Sequence, residues 1–245
     1  MRIAVIGAGV MGSGIAQVLA QAGNEVHCTD VADEALAKAR EGVTNGRYGF
    51  ERAVDRGKLD RAQADAALAR LSFSTNLEAA VAEAELVIEC VPERLDLKIK
   101  IFRELDRLAP ASAILASNSS GFPLAALAAS TDRPANVIVW HWASPPVLMK
   151  FAEIVVSEDT DPKVIEKVRE VATGCGKNPV VVKDHPMAWG YVANRVYAAM
   201  ITEASRVVAE GVASHDDVNQ LMVDCFGWPV GPFAMVKGAT TGWKD

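Results

Sequence analysis

Three glycines and an aspartate near the start of the chain have the spacing of a dinucleotide-binding turn. An apolar run leads into Gly7, Gly9 and Gly12, and Asp30 lies eighteen residues beyond Gly12. Glycine permits a tight turn, and the helix that follows offers backbone N–H groups to a pyrophosphate. A carboxylate at Asp30 suits an adenosine ribose and repels a 2′-phosphate. The pattern therefore predicts NAD, held by Gly7, Gly9, Val10, Met11, Gly12 and Asp30.

A histidine and a glutamate further along have side chains suited to acid–base chemistry. His141 follows a strand-like run over residues 137–140 and precedes two prolines, and Glu153 lies inside an otherwise apolar run over residues 151–156. Imidazole exchanges protons near neutral pH, and a carboxylate on a neighbouring strand can hold it in one tautomer. The residues alone leave two interpretations open: a catalytic pair, or a structural histidine and a glutamate on the exposed face of an edge strand.

Alternating strands and helices are needed to bring these residues together. β-branched runs, among them residues 86–91 and 113–116, alternate with amphipathic stretches as far as Asp184. This order predicts an α/β fold with a doubly wound, mostly parallel sheet of the Rossmann type over residues 1–184. Helical segments, the first over residues 33–52, form a predicted hairpin insertion between the second and third strands.

Beyond Asp184 the alternation ends and the pattern is helical. Residues 191–211 and 216–226 have helical periodicity, and residues 228–233 are typical of a turn. We therefore expect a small all-α C-terminal domain over residues 185–245.

Composition limits the partners that the protein can have. The formal net charge is −6 and the pI is near 5.3, which argues against a nucleic-acid or anionic-membrane surface. No apolar run approaches the ~18 residues of a membrane span, and the first strand begins directly after Met1, so no signal peptide is expected. The four cysteines lack metal-binding or disulfide spacing. These observations predict a cytoplasmic protein without a metal site.

The inserted hairpin carries a group of cations that has two interpretations. The residues are Arg47, Arg52, Arg56, Lys58 and Arg61. They could contact a phosphate-bearing substrate, or they could form a solvated helix face that nearby aspartates balance.

Several segments resemble the L-3-hydroxyacyl-CoA dehydrogenase family over nearly the whole chain. Residues 141–153, H-W-A-S-P-P-V-L-M-K-F-A-E, are similar to the family's H-F-F-N-P-V-P-V-M-K-L-V-E. Residues 117–120 are similar to its Ser-Asn-Thr-Ser, and residues 91–93 with Lys98 resemble its Val-x-Glu and following lysine. Residues 190–195 and 231–233 resemble its Gly-Phe-Ile-Val-Asn-Arg and Gly-Pro-Phe.

The resemblance implies reversible oxidation of an L-3-hydroxyacyl-CoA by NAD, a reaction of fatty acid metabolism. It makes His141 the general base and Glu153 its partner, while Ser120 and Asn194 hydrogen-bond the substrate. The implied cofactor contacts are Glu93, Lys98, Ser120 and Ser144. Lys58 in the hairpin is the implied contact for CoA, and the C-terminal domain is the implied interface of a homodimer.

The chain departs from the family pattern at three places. Ser144 stands where the family has asparagine, residues 187–189 resemble an insertion, and the chain stops at Asp245, before the family's usual end. The last of these departures leads us to expect a shortened C-terminal domain and puts the dimer in doubt. Two alternatives stay open: a dehydrogenase of a free 3-hydroxy acid, as in the gulonate and carnitine dehydrogenases, and a non-catalytic protein that binds NADH or acyl-CoA.

Overall fold

A single twisted sheet organises the first part of the chain. The computed structural model describes residues 1–185 and 187–241, and within them eight strands form this sheet. The strands are β1 (Arg2–Ile6), β2 (Glu25–Thr29), β3 (Leu71–Ser74), β4 (Leu86–Glu89), β5 (Ile114–Ser117), β6 (Val137–Trp142), β7 (Phe151–Val156) and β8 (Asn178–Lys183).

Helices connect most of the strands. They are α1 (Val10–Gln21), α2 (Asp33–Asn45), α3 (Phe50–Asp55), α4 (Arg61–Ala69), α5 (Leu77–Val81), α6 (Leu95–Leu108), α7 (Leu124–Ala128) and α8 (Pro162–Gly174). After β8 come α9 (Val192–Ala209), α10 (His215–Phe226) and α11 (Pro232–Thr241). No helix among the described residues is long and apolar enough to cross a membrane.

The order of the strands confirms the predicted Rossmann-type sheet. Across the sheet the order is β3-β2-β1-β4-β5-β6-β7-β8. Neighbouring strands are parallel apart from β6 and β7, which pair antiparallel. β1 lies between β2 and β4, so the chain reverses its direction of winding beside β1. In sheets of this kind, ligands bind at the carboxyl ends of the strands at such a reversal.

The hydrophobic core lies against the central strands. β4 and β5 are buried at every residue, as expected for strands that helices cover on both faces. Ile15 and Leu19 of α1 and Val168 of α8 belong to the same core cluster as Trp140 of β6. These contacts fix the strand ends where the candidate residues lie.

The chain divides into two units, Met1–Trp189 and the part that begins at Gly190. The expected boundary at Asp184 falls directly after β8, whose last part is joined to β7 by a hydrogen bond from the Asp184 N–H to the Val156 carbonyl (2.8 Å). In the second unit, α9, α10 and α11 contact one another.

Two predicted strand ends were wrong, and hydrogen bonds explain why. β4 ends at Glu89 rather than at residue 91, because the Glu89 carboxylate accepts the Val91 N–H (2.7 Å) that would otherwise continue the ladder. β6 does not end at residue 140. Its antiparallel pairing with β7 continues to Trp142, so His141 lies inside a strand and not after one.

Two predicted helical features were also wrong. The helix expected over residues 33–52 is interrupted, and the chain turns between Gly46 and Gly49, where an added Cβ would lie 2.3 and 2.6 Å from carbonyl oxygens. The turn expected over residues 228–233 contains the start of α11. The Asn219 amide oxygen of α10 accepts the Phe233 N–H (2.9 Å), a tertiary contact that caps the new helix.

Candidate active site

The glycine turn joins β1 to α1 with the geometry that the sequence predicts. Gly7 has a φ of +102°, and a Cβ there would lie 2.7 Å from the Cys90 carbonyl oxygen. A Cβ at Gly12 would lie 1.8 Å from the Gly7 carbonyl oxygen, so both positions require glycine. A Cβ at Gly9 would meet nothing within 4 Å. The space beside Gly9, at the N-terminus of α1, fits a pyrophosphate.

Asp30 closes the other side of this turn. Its Oδ2 accepts the Ala8 N–H (2.8 Å) and its Oδ1 accepts the Ala32 N–H (3.1 Å). A carboxylate has about four lone-pair sites, so both oxygens keep capacity for ribose hydroxyl groups. The next residue is Val31, which is exposed and offers no cation for a 2′-phosphate. The carboxylate of Asp30, without a neighbouring cation at Val31, therefore fits the ribose of NAD.

His141 and Glu153 face each other across the antiparallel pair of β6 and β7. They are register partners, and the His141 Nδ1 lies 3.0 Å from the Glu153 Oε2. The side chains are 8% and 4% exposed. The ring of Phe151 meets the imidazole edge to face at 5.2 Å between centroids. Residues directly opposite in a sheet project to the same face, which is why pairing of these two strands brings the two groups together.

This contact sets the chemical character of the imidazole. A carboxylate only accepts hydrogen bonds when ionised, so the Nδ1 of His141 carries the proton towards Glu153. The lone pair of the neutral ring then lies on Nε2, and a protonated ring gains a neighbouring negative charge. The pair can therefore take up and return a proton at Nε2.

A second buried glutamate, Glu89 at the end of β4, was missed by our sequence analysis. Its side chain is 0% exposed, and it accepts hydrogen bonds from the Lys98 ammonium (2.7 Å) and the Ser117 hydroxyl (2.6 Å). Burial raises the pKa of Glu89, and the Lys98 charge offsets part of that rise. An acid inside an apolar strand was the signal that singled out Glu153, and the same signal was present here.

Glu93, Lys98 and Ser120 come together beside this glutamate. Glu93 accepts hydrogen bonds from the Ser119 hydroxyl (2.6 Å) and the Ser120 N–H (2.9 Å), and the Lys98 ammonium lies 3.2 Å from its other oxygen. Lys98 is only 1% exposed, so its ammonium is enclosed between two carboxylates. Of the two carboxylates that contact Lys98, that of Glu93 is the more accessible.

The other predicted residues lie at three different places. Ser144 is exposed in the loop between β6 and β7, and Asn194 lies in the first turn of α9, in the second unit. Lys58 lies in the turn between α3 and α4 and lines a cleft of about 170 Å³. Further residues that line this cleft are Gln17, Arg47, Tyr48, Arg52, Arg56 and Leu148. The described residues contain no cluster of side chains that could hold a metal ion.

Comparison with known proteins assigns both parts of the chain to one family. Residues 2–185 match the family model "3-hydroxyacyl-CoA dehydrogenase, NAD binding domain", and residues 190–244 match the corresponding C-terminal domain. A probable 3-hydroxybutyryl-CoA dehydrogenase of Bacillus subtilis is 38% identical over 96% of this chain and 79% of the relative.

A solved structure and a relative named for a different compound are also similar to this chain. The structure of (S)-3-hydroxybutyryl-CoA dehydrogenase from Ralstonia eutropha superposes with a TM-score of 0.89 at 34% identity, covering 95% of this chain and 80% of that one. A dehydrogenase of 5-formyl-3-hydroxy-2-methylpyridine 4-carboxylate from Mesorhizobium japonicum is 35% identical over 94% of this chain and 71% of the relative.

Proposed function

The chain belongs to the 3-hydroxyacyl-CoA dehydrogenase family of NAD-dependent oxidoreductases, and we propose that His141 and Glu153 form its acid–base pair. The resemblance seen in the sequence is thereby confirmed, as is NAD as the cofactor. The enzyme oxidises a 3-hydroxyacyl-CoA to the 3-ketoacyl-CoA. The observation that carries the proposal is the 3.0 Å contact between the His141 Nδ1 and the Glu153 Oε2, on the sheet whose other half carries the glycine turn.

The glycine turn and its neighbours are proposed to bind the cofactor. NAD⁺, when bound, accepts a hydride. The α1 N-terminus, with Gly9 beside it, would receive the pyrophosphate, and Asp30 the adenosine ribose. Glu93 and Ser144 would approach the nicotinamide half. Because Lys98 is enclosed, we propose that it acts on the cofactor through the position of Glu93 rather than by direct contact.

The proton step is proposed to take place at the His141 Nε2. The hydride leaves C3, the carbon that carries the L-3-hydroxyl group. At the same time the O–H bond breaks, its proton passes to Nε2 and the carbonyl forms. Glu153 stabilises the resulting imidazolium. In the reverse direction the imidazolium returns this proton to the oxygen. Ser120 and Asn194 are proposed to hydrogen-bond the reacting oxygen and the thioester.

The cationic cleft is the proposed site of the CoA phosphates. Arg52, Arg56 and Lys58 are exposed on its rim, and in the described part of the chain no carboxylate forms an ion pair with any of them. Their charges are therefore available for phosphate groups. Tyr48 and Leu148 give the cleft an apolar side.

The test is a substrate panel measured by NADH oxidation. The proposal predicts turnover of acetoacetyl-CoA and, at matched concentrations, much slower turnover of free acetoacetate. Varying the acyl chain then defines the specificity. Absence of turnover with every 3-ketoacyl-CoA, in a protein that binds NADH, contradicts the proposal and supports a non-catalytic binding protein.

A second candidate function is oxidation of a free hydroxy acid. Two observations favour it: Ser144 replaces the asparagine of the family, and the Mesorhizobium relative is named for a pyridine carboxylate rather than a CoA ester. The basic cleft favours the thioester. Faster turnover of the free acid than of its CoA ester would select this second function.

We also propose a homodimer formed through residues 185–245 and a place in cytoplasmic fatty acid metabolism. The support for the dimer is a set of exposed apolar side chains in α9 and α10, namely Val192, Val196, Leu221 and Phe226. Exposed apolar patches mark protein interfaces more often than chance. Light scattering of the purified protein measures the oligomeric state, and a monomer at all concentrations contradicts the dimer.

A further inference from the structure

Lys177, in the turn between α8 and β8, is a buried cation without a carboxylate partner among the described residues. Its side chain is 6% exposed, and its ammonium donates hydrogen bonds to the carbonyl oxygens of Pro146 (2.6 Å) and Met149 (2.7 Å). It also lies 5.0 Å from the centre of the Trp142 ring. Burial lowers the pKa of Lys177. Burying an ammonium is costly, so these contacts must compensate for its lost hydration.

The two carbonyls belong to the hairpin loop, residues 143–150, which connects the strand of His141 to the strand of Glu153. This loop reaches both proposed binding sites. Pro146 packs on α1, where a Cβ at Gly14 would lie 3.1 Å from the Pro146 Cγ. Leu148 lines the cationic cleft. Ser144 is the proposed nicotinamide contact in the same loop.

The Lys177 ammonium lies on the face of β6 opposite to the His141 side chain. His141 and Trp142 are neighbours on a strand, so their side chains project to opposite faces. Lys177 contacts the Trp142 ring on that face, while the Trp142 backbone N–H donates to the Asn118 side-chain oxygen (3.0 Å). Lys177 therefore contacts the hairpin loop and Trp142, the last residue before the loop. None of its described contacts is with His141 or Glu153.

We propose that Lys177 is a positioning residue that fixes the hairpin loop over α1 and the cationic cleft, and so sets the affinity for both NAD(H) and the acyl-CoA. The inference rests on the proposed function, because the cleft and Ser144 matter only in a protein that binds these ligands. The Lys177 ammonium supplies two charge-assisted hydrogen bonds to one short loop, and no other side chain among the described residues donates to these two carbonyls.

The test replaces Lys177 with Met, Gln and Arg in the full chain, with Lys183→Met as the matched control. Lys183 ends β8 and is exposed. Lys177→Met keeps the apolar stem and removes every donor. We expect it to raise the Kd of NADH and the KM of acetoacetyl-CoA by about ten- to a hundredfold, with a smaller change in kcat. Lys177→Arg keeps a cation with several donors and should recover most of the affinity, and Lys177→Gln should be intermediate.

A merely structural lysine gives a different result. In that case the melting temperature of Lys177→Met falls, while the Kd of NADH and the KM of the folded enzyme stay within about twofold of the Lys183→Met values, and this overturns the inference. If Lys177→Met does not fold, Lys177→Gln with unchanged affinities also overturns it. A wild-type enzyme without turnover contradicts the proposed function instead, and the Kd of NADH in the Lys177 variants still tests the loop, because it requires no substrate.

Discussion

Two regions of the sheet bury a glutamate beside a basic side chain, and the two basic partners differ in type. At the end of β4, Glu89 meets Lys98 and Ser117. Between β6 and β7, Glu153 meets His141. Both glutamates lie in apolar strands and both are buried. The partner makes the difference: an ammonium keeps its proton at neutral pH, while an imidazole exchanges one.

We therefore propose a structural role for the Glu89–Lys98 pair and a catalytic role for the Glu153–His141 pair. Lys98 is enclosed, and its charge connects Glu89 to Glu93 and hence to the backbone of Ser120. The partner of Glu153 is a side chain that can change its charge, beside the carboxyl ends where ligands bind in this fold. A buried carboxylate in a strand therefore indicates a functional site only once its partner is known.

The largest expected effect is that of His141→Ala. Loss of a general base costs about 10²- to 10⁴-fold, and we expect kcat for acetoacetyl-CoA reduction to fall by about 10³-fold. The Kd of NADH should change by less than about twofold, because the cofactor is proposed to bind at the glycine turn. Steady-state kinetics and NADH fluorescence measure the two quantities. An unchanged kcat would remove His141 from the mechanism.

Glu153→Gln should have the second-largest effect on turnover. The amide keeps the shape of the side chain but not its charge, so the imidazolium loses its stabilising partner. We expect kcat to fall by about 10²-fold, with the melting temperature close to that of the wild type. If Glu89→Gln lowered kcat as much as Glu153→Gln does, the proposed difference between the two pairs would be wrong.

Glu89→Gln should act on stability more than on turnover. Without the Glu89 charge, the buried Lys98 ammonium loses one of its two carboxylate partners. Removal of one partner from a buried ion pair lowers the free energy of unfolding by about 3 kcal/mol. We expect kcat to fall by less than about tenfold and NADH to bind several-fold more weakly, because Lys98, which contacts Glu93, loses its other carboxylate partner. The double variant Glu89→Gln/Lys98→Met should regain part of the stability in urea unfolding. A double variant less stable than Glu89→Gln alone would count against the pair.

Lys58→Met should have the smallest effect and should change only the KM. An exposed cation contributes modestly to binding a phosphate, so we expect the KM for acetoacetyl-CoA to rise about three- to fivefold at low salt, with kcat unchanged. The effect should shrink as ionic strength rises. Lys38→Met on α2 is the control, since Lys38 is exposed and is not among the residues that line the cleft. Equal KM values in the two variants would exclude the cleft as the phosphate site.

The part of the site that is local in sequence could be predicted in detail, and the part that depends on packing could not. Gly7, Gly9, Gly12 and Asp30 are joined by one strand–turn–helix–strand unit, so their spacing determines their geometry. The pairing of His141 with Glu153 could be stated only as a condition, because it requires that β6 and β7 be neighbours.

The features that could not be predicted from the sequence depend on which side chains the fold buries. Lys98 was expected to contact the cofactor, and its enclosure between two carboxylates follows from how α6 packs on the sheet. The role of Lys177 depends on carbonyl groups about thirty residues away, and backbone acceptors leave no signature in a sequence.

The most direct test is the kcat of the double variant His141→Ala/Glu153→Gln beside its two single variants. Residues that act as a unit are non-additive, because a partner has nothing left to stabilise once the base is gone. If Glu153 works through His141, the double variant turns over acetoacetyl-CoA as slowly as His141→Ala alone and no slower. If the losses of the two single variants multiply, the two residues act independently and the proposed acid–base pair is contradicted.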